Sequence, residues 1–153
     1  MIIQQILTPG RTRLGVPAAS KKKILELVAE CISNDIPTIN SADLFDALIT
    51  RERLGTTGLG NGIALPHCRF KNCPEPTGLF LRMEHPVDYD AIDRKSVDLV
   101  FALIVPDGDN QEHLQILQAL AERFYSEELV QELRQANSSS ELFNILVNDK
   151  EPV

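Results

Sequence analysis

The run Val97-Asp98-Leu99-Val100-Phe101-Ala102-Leu103-Ile104-Val105 decides the fold class. From Leu99 to Val105 it is unbroken apolar sequence, and Pro106-Asp107-Gly108-Asp109 ends it in a loop. A strand with one face in water alternates apolar and polar residues. A strand apolar at every position over this length suits the centre of a sheet covered on both faces. The strand at about 97–105 is therefore expected to be central, with helices above and below it.

Working outward, helical periodicity supplies those covers. Ser20 is the expected N-cap of a helix over about 20–34, in which Ile24, Leu27, Val28, Cys31 and Ile32 recur at helical spacing. Asn40 or Ser41 caps a second helix, about 41–53, with Leu44, Phe45, Leu48 and Ile49 inward. Beyond the central strand, a third helix over about 110–125 carries the stripe Leu114, Leu117, Ala121 and Phe124. Ser126 caps a fourth, whose Glu127 and Glu128 suit the positive end of the helix dipole. Ser138-x-x-Glu141 is a capping-box signature that opens a last helix, reaching about Val147. Shorter strands are expected at about 62–66 and 78–84. Residues 1–17 read as an extended lead-in with a turn at Pro9-Gly10. This order predicts an α/β fold, a single-domain α/β sandwich with a mixed sheet flanked by helices on both faces. One domain is expected over 1–153, with its core at about 8–147.

Bulk composition narrows the function. The chain has 153 residues, 43% of them hydrophobic and 24% charged, with a net charge of −7. Nucleic-acid binding requires clustered Lys and Arg, so that charge argues against it. Lys21-Lys22-Lys23 reads instead as a solvated helix start. No stretch approaches the roughly 20 apolar residues of a membrane span. Met1-Ile2-Ile3-Gln4-Gln5 lacks the basic region and cleavage site of a signal peptide, so a cytoplasmic protein without membrane insertion is expected. Three cysteines argue against a disulfide framework. His67-Cys68-x4-Cys73 falls short of the four ligands of a structural zinc site, so neither metal nor cofactor is expected.

Chemistry concentrates in Gly58-Leu59-Gly60-Asn61-Gly62-Ile63-Ala64-Leu65-Pro66-His67. Alternating glycines imply tight turning and close approach, and their N–H groups can form an anion-binding nest, so Gly58, Gly60, Asn61 and Gly62 are candidate phosphate-loop residues. The stretch lacks the Gly-Lys-Ser/Thr ending of a nucleotide-binding P-loop. Ile63-Ala64-Leu65 reads as a short buried strand ended by Pro66, which leaves His67 at a strand terminus beside the glycines. If a backbone carbonyl accepts from Nδ1–H, Nε2 is free to attack phosphorus. Arg51 has the planar fork that matches phosphate oxygens, though a charge complementing a helix C-terminus would look the same. His113 follows the central strand, where α/β folds build their sites, though an exposed helix residue would also look the same. Leu59 and Leu65 are expected to border a partner-docking face.

Gly58-x-Gly60-Asn61-Gly62-Ile63-Ala64-x-Pro66-His67 resembles the phosphohistidine motif of the mannitol/fructose-type IIA proteins of the phosphoenolpyruvate-dependent sugar phosphotransferase system. Thr50-Arg51-Glu52, Phe101-Ala102-Leu103-Ile104-Val105-Pro106 and His113-Leu114-x-x-Leu117 resemble further landmarks of that family. Ser20-Lys21-Lys22-Lys23 and Tyr89-Asp90-Ala91-Ile92-Asp93 resemble its nitrogen-regulatory branch. The resemblance covers about residues 8–147; Cys68 departs from it, standing where related proteins carry glycine. It implies that His67 is phosphorylated on Nε2, as a tele-phosphohistidine, that Arg51 contacts the phosphoryl group, and that His113 lines the same site. The implied donor is a small histidine phosphocarrier resembling HPr. The implied function is regulatory, with the phosphorylation state controlling targets such as sensor kinases or ion transporters. The alternative is a sugar-specific IIA component that passes phosphate to a IIB domain.

Overall fold

The computed structural model describes residues 2–108 and 110–148. Asp109, the last residue of the expected loop after the central strand, lies outside them, as do the chain ends. The elements run α1 (Ile2–Ile6), β1 (Thr12–Val16), α2 (Lys21–Asp35), α3 (Ser41–Arg53), β2 (Gly58–Gly60), β3 (Ile63–Ala64), β4 (His67–Arg69), β5 (Thr77–Val87), β6 (Val97–Val105), α4 (Asn110–Phe124), α5 (Glu127–Gln135) and α6 (Ser139–Val147). One mixed sheet has the order β1-β5-β6-β3-β2, with β4 also pairing β6. β1 is parallel to β5, β5 antiparallel to β6, β3 and β4 parallel to β6, and β2 antiparallel to β3.

β6 is central because both of its faces are consumed. Val100, Ala102 and Ile104 join a core with α2 and α3 that includes Ile24, Val28, Ile32, Leu44 and Leu48. Leu99, Phe101, Leu103 and Val105 join a second core, with Ile116, Leu120 and Phe124 of α4 and Leu129, Leu133, Leu142 and Leu146 of α5 and α6. The period-two alternation of the strand thus feeds two apolar layers, which is why no polar residue interrupts Leu99–Val105.

The caps act where the sequence places them. Ser20 accepts from Lys23 N–H, Asn40 from Asp43, Ser126 from Leu129 and Ser138 from Glu141. Each satisfies a helix N–H that has no partner inside its own helix. At the far end of α5, Arg82 of β5 donates through Nη1 to the carbonyls of Leu133, Arg134 and Ala136, tying that helix end to the sheet.

Two expectations are corrected and a third is extended. The lead-in is not uniformly extended. Ile2–Ile6 is a helix that buries Ile3 and Ile6, and it is too short for sequence periodicity to register. The stripe on α4 is offset, since His113, Ile116, Leu120 and Phe124 are buried while Leu114 is 63% exposed. The helix has apolar residues on more than one face, so spacing alone does not fix which face turns inward. Finally, the strand does stop before Pro66, but the ladder on β6 does not end there, since β4 resumes it at His67. Ile63 and Ala64 pair with Leu99 and Val100, and His67, Cys68 and Arg69 pair with Leu103, Ile104 and Val105 in the same register. Pro66 has no N–H to give, but its carbonyl accepts from Leu103 N–H at 2.9 Å.

Candidate functional site

His67 opens β4, opposite Leu103 near the C-terminal end of β6. β4 pairs with β6, and α3 packs against it. The imidazole is therefore held between the last turn of α3 and the first turns of α4, at the start of β4 and near the C-terminal end of β6. Its cleft, of about 670 Å³, is lined by Asp46, Ala47, Thr50, Arg51 and Leu54 of the α3 region, by His67, Cys68 and Arg69, by Leu103 and Val105, and by His113, Leu114 and Leu117 of α4. Three residues singled out in the sequence, His67, Arg51 and His113, meet here although up to 62 positions separate them.

The orientation of the ring is specified. His67 Nδ1 lies 2.8 Å from the carbonyl oxygen of Leu65. A carbonyl only accepts, so Nδ1 carries the proton and Nε2 holds the lone pair. Burial holds the His67 pKa below its usual value of 6.5. The Leu65 carbonyl opposes that shift, Arg51 adds to it, and Glu52 opposes it. The ring is thus a neutral nucleophile of defined tautomer at neutral pH.

Arg51 is half-buried in the last turn of α3 and spends one N–H on the carbonyl of Gly55, at 3.2 Å. His113 is only 7% exposed, and its Nδ1 is buried without a partner among the described residues. The exposed-residue reading of His113 is thereby removed. Among the described residues the lining carries two guanidinium groups, Arg51 and Arg69, and one carboxylate, Asp46. In a chain of net charge −7 this is a locally cationic pocket, suited to a phosphoryl group.

The glycine stretch lies elsewhere. Gly58–Gly60 is the strand β2, and Asn61-Gly62 turns it back into β3. Asn61 has φ of 56° and Gly62 of 82°, the paired positive values of a two-residue hairpin turn. The Asn61 N–H is taken by Asp93 Oδ2 at 2.9 Å, and the Asn61 carbonyl accepts from Arg134. At about 3.3 Å per residue, the four steps from Ile63 to His67 span roughly 13 Å. Gly58, Gly60, Asn61 and Gly62 do not line the cleft, so the anion-nest expectation is corrected to a hairpin turn; the Asn-Gly pair is the signal that would have shown it. Leu65, at 4% exposed, belongs to the core, and Leu59 stands on the hairpin. The apolar rim of the cleft is instead Leu54, 81% exposed, with Leu114.

Cys68 and Cys73 are buried, and the thiol of Cys68 is pushed up to about 12 by burial. Away from the cleft lining, Glu52, Thr57, Tyr89 and Lys21 form a largely buried polar group, in which Thr57 belongs to none of the stretches singled out in the sequence. Glu52 accepts from the N–H and the Oγ1 of Thr57, both at 2.7 Å, and from Lys21 Nζ at 2.9 Å.

The EIIA 2 model of the phosphoenolpyruvate-dependent sugar phosphotransferase system matches residues 5–149, and the chain belongs to that family. It is 41% identical over 146 residues to a nitrogen regulatory protein of Pseudomonas aeruginosa, covering 95% of each chain. It is 34% identical over 131 residues to a fructose-specific EIIA component of Haloferax volcanii, covering 85% of this chain and 84% of that one. The crystal structure of the nitrogen regulatory protein IIA-Ntr from Neisseria meningitidis matches at a TM-score of 0.90 and 36% identity, over 96% of this chain and 100% of that one. Fold and relatives together place the chain among phosphotransferase-system components, in the nitrogen-regulatory branch.

Proposed function

We propose that the chain is a single-domain regulatory phosphoryl carrier of the nitrogen-related phosphotransferase system, acting in the cytoplasm. His67 Nε2 attacks the phosphoryl group of an HPr-like histidine phosphocarrier. A bond forms between Nε2 and phosphorus as the donor's N–P bond breaks, and that bond's electron pair stays on the donor nitrogen. The Leu65 carbonyl keeps the Nδ1 proton and steadies the positive charge that develops on the ring. Arg51 contacts the phosphoryl oxygens through its fork, and His113 is the second imidazole beside them. The observation that carries the reading is the 2.8 Å contact between Nδ1 and Leu65, which leaves Nε2 as the nucleophile.

The test is incubation with phosphoenolpyruvate, enzyme I and an HPr-like carrier. An acid-labile, base-stable label is expected on the wild type and absent from His67→Ala. A label that persists in the variant moves the site elsewhere.

In the regulatory role, the phosphoryl group adds up to two negative charges at the cleft and so sets which partners dock. A sensor kinase or ion transporter is expected to bind the unphosphorylated form more tightly than phosphorylated protein or His67→Asp. The likeness to the fructose-specific component of Haloferax volcanii favours a second reading, in which phosphate passes on to a IIB domain. Drainage of the label onto a IIB domain, with equal affinity of a regulated partner for all three forms, would establish the second reading.

A further inference from the structure

Glu52 does not line the His67 cleft, yet an unbroken chain of hydrogen bonds joins them. The carboxylate, 8% exposed, receives the Thr57 N–H on Oε1 and the Thr57 hydroxyl on Oε2, each at 2.7 Å. The carbonyl of Thr57 accepts from Leu65 N–H at 2.9 Å. The carbonyl of Leu65 accepts from His67 Nδ1 at 2.8 Å. Leu65 thus bonds through both of its backbone polar groups, its N–H to Thr57 and its C=O to the imidazole.

Donor accounting leaves the network a single arrangement. Thr57 has one hydroxyl proton and gives it to Glu52, so Tyr89, whose hydroxyl lies 3.1 Å from Thr57 Oγ1, is the donor in that contact. Tyr89 is fully buried, and burial pushes its hydroxyl well above the usual range, so it keeps its proton. Lys21 Nζ reaches Glu52 Oε1 at 2.9 Å and stands 4.7 Å over the Tyr89 ring. The carboxylate is thereby held in place, since Thr57 N–H, Thr57 Oγ1 and Lys21 Nζ all donate to it. Glu52 also follows Arg51 directly, so one turn of α3 delivers the phosphoryl-facing cation and the buried anion.

We infer that Glu52, acting through Thr57 and Leu65, is a positioning residue that holds His67 in the Nδ1–H tautomer with Nε2 presented to the incoming phosphorus. The inference rests on the reading of His67 as the phosphoryl acceptor. It gives the carboxylate a second effect. As Nε2 bonds to phosphorus the ring gains positive charge, and an anion buried behind it favours that state over the neutral ring.

The experiment compares wild type with Glu52→Gln, Thr57→Val and Thr57→Ser, using ¹⁵N NMR of the histidine rings and the rate of phosphoryl acceptance from an HPr-like carrier. Far-UV circular dichroism and the melting midpoint report folding. Wild-type His67 is expected to show the Nδ1–H tautomer. Glu52→Gln is expected to give a tautomer mixture, a His67 titration moved to lower pH and acceptance slowed at least tenfold. Thr57→Val, which removes the hydroxyl and keeps the backbone N–H, is expected to move the same readouts in the same direction, and Thr57→Ser to restore them. Folded Glu52→Gln and Thr57→Val proteins with the wild-type tautomer overturn the inference. So does a loss of rate that Thr57→Ser shares, because that outcome marks packing alone. If Glu52→Gln does not fold, the Thr57 pair decides between the same two results. The tautomer is read without any carrier. A wild type that takes no label therefore counts against the proposed function, while the ring signals still decide the positioning.

Discussion

Asp93 accepts the N–H of Asn61 at 2.9 Å and, through its other oxygen, the N–H of Lys95 at 3.0 Å, pinning the hairpin turn to the loop before β6. These donors, Lys95 first and Asn61 second, hold the Asp93 carboxyl below its usual range. The turn residue with most to lose is Gly62. At φ of 82° a side chain is strained, and a Cβ would lie 2.8 Å from Asp98 Oδ1, which is already bonded to Arg134 Nη2. Gly62→Ala is expected to lower stability by about 1–3 kcal/mol, read from a urea midpoint. The phosphoryl acceptance rate of the folded protein should stay at the wild-type value, because the turn lies outside the cleft. Slowed acceptance with unchanged stability would return the glycines to the phosphate site.

Arg51→Lys keeps the charge and loses the fork. Arg51 bonds one carbonyl, that of Gly55, at the end of its helix, so little folding energy is at stake. Acceptance should slow by about tenfold, which is about 1.4 kcal/mol of barrier, while stability changes by less than about 0.5 kcal/mol. A loss of several kcal/mol in stability with a normal transfer rate would give Arg51 a structural role.

The depressed pKa of His67 fixes a sign. In the unfolded chain the group titrates near 6.5; in the folded protein it takes its proton only at lower pH. Between those values the unfolded state binds the extra proton, so the contribution of His67 to stability is complete above 6.5 and is lost as pH falls toward the folded value. Denaturation midpoints compared between wild type and His67→Gln should show that loss in the wild type alone. The acceptance rate at saturating carrier should hold a plateau down through pH 6.5, since the neutral ring is the nucleophile. A rate already falling above that pH contradicts the assignment.

Single exposed leucines need no explanation, but Leu54, just after α3, and Leu114, on α4, stand on the rim of one cleft. Leu54→Asp with Leu114→Ser is expected to raise the KM for the HPr-like carrier by about tenfold, about 1.4 kcal/mol, with kcat and the melting midpoint little changed. An unchanged KM would place carrier docking on another face.

The sequence discloses the architecture well where one signal dominates. Leu99–Val105 admits little but a doubly covered strand, and Ser20, Asn40, Ser126 and Ser138 cap the helices they precede. It discloses less where two signals compete. Ile63-Ala64-Leu65-Pro66 has a strand former's composition and a strand breaker's last residue, and only the partner β6 shows that the ladder resumes at His67. On α4, Leu114 looks like core and is rim, because a helix bordering an apolar cleft carries apolar residues on two faces. His67, Arg51 and His113 stand out by residue type and motif. Glu52 and Tyr89 fall in such stretches too, but nothing in the sequence joins them to Thr57, since that relation exists only through contacts, Thr57 and Tyr89 meeting across 32 positions.

The unbroken register on either side of Leu65-Pro66 limits how this segment can vary in length. Side chains along a strand alternate between faces, so inserting or deleting one residue between Ala64 and His67 would turn the imidazole to the opposite side of the sheet and bring the neighbouring residue into the cleft. Leu65 can be exchanged for another apolar side chain of similar volume, but the spacing acts as a frame, and an indel there is a frameshift in three dimensions. Loops elsewhere in the chain absorb added residues at small entropic cost; these two positions have no such freedom.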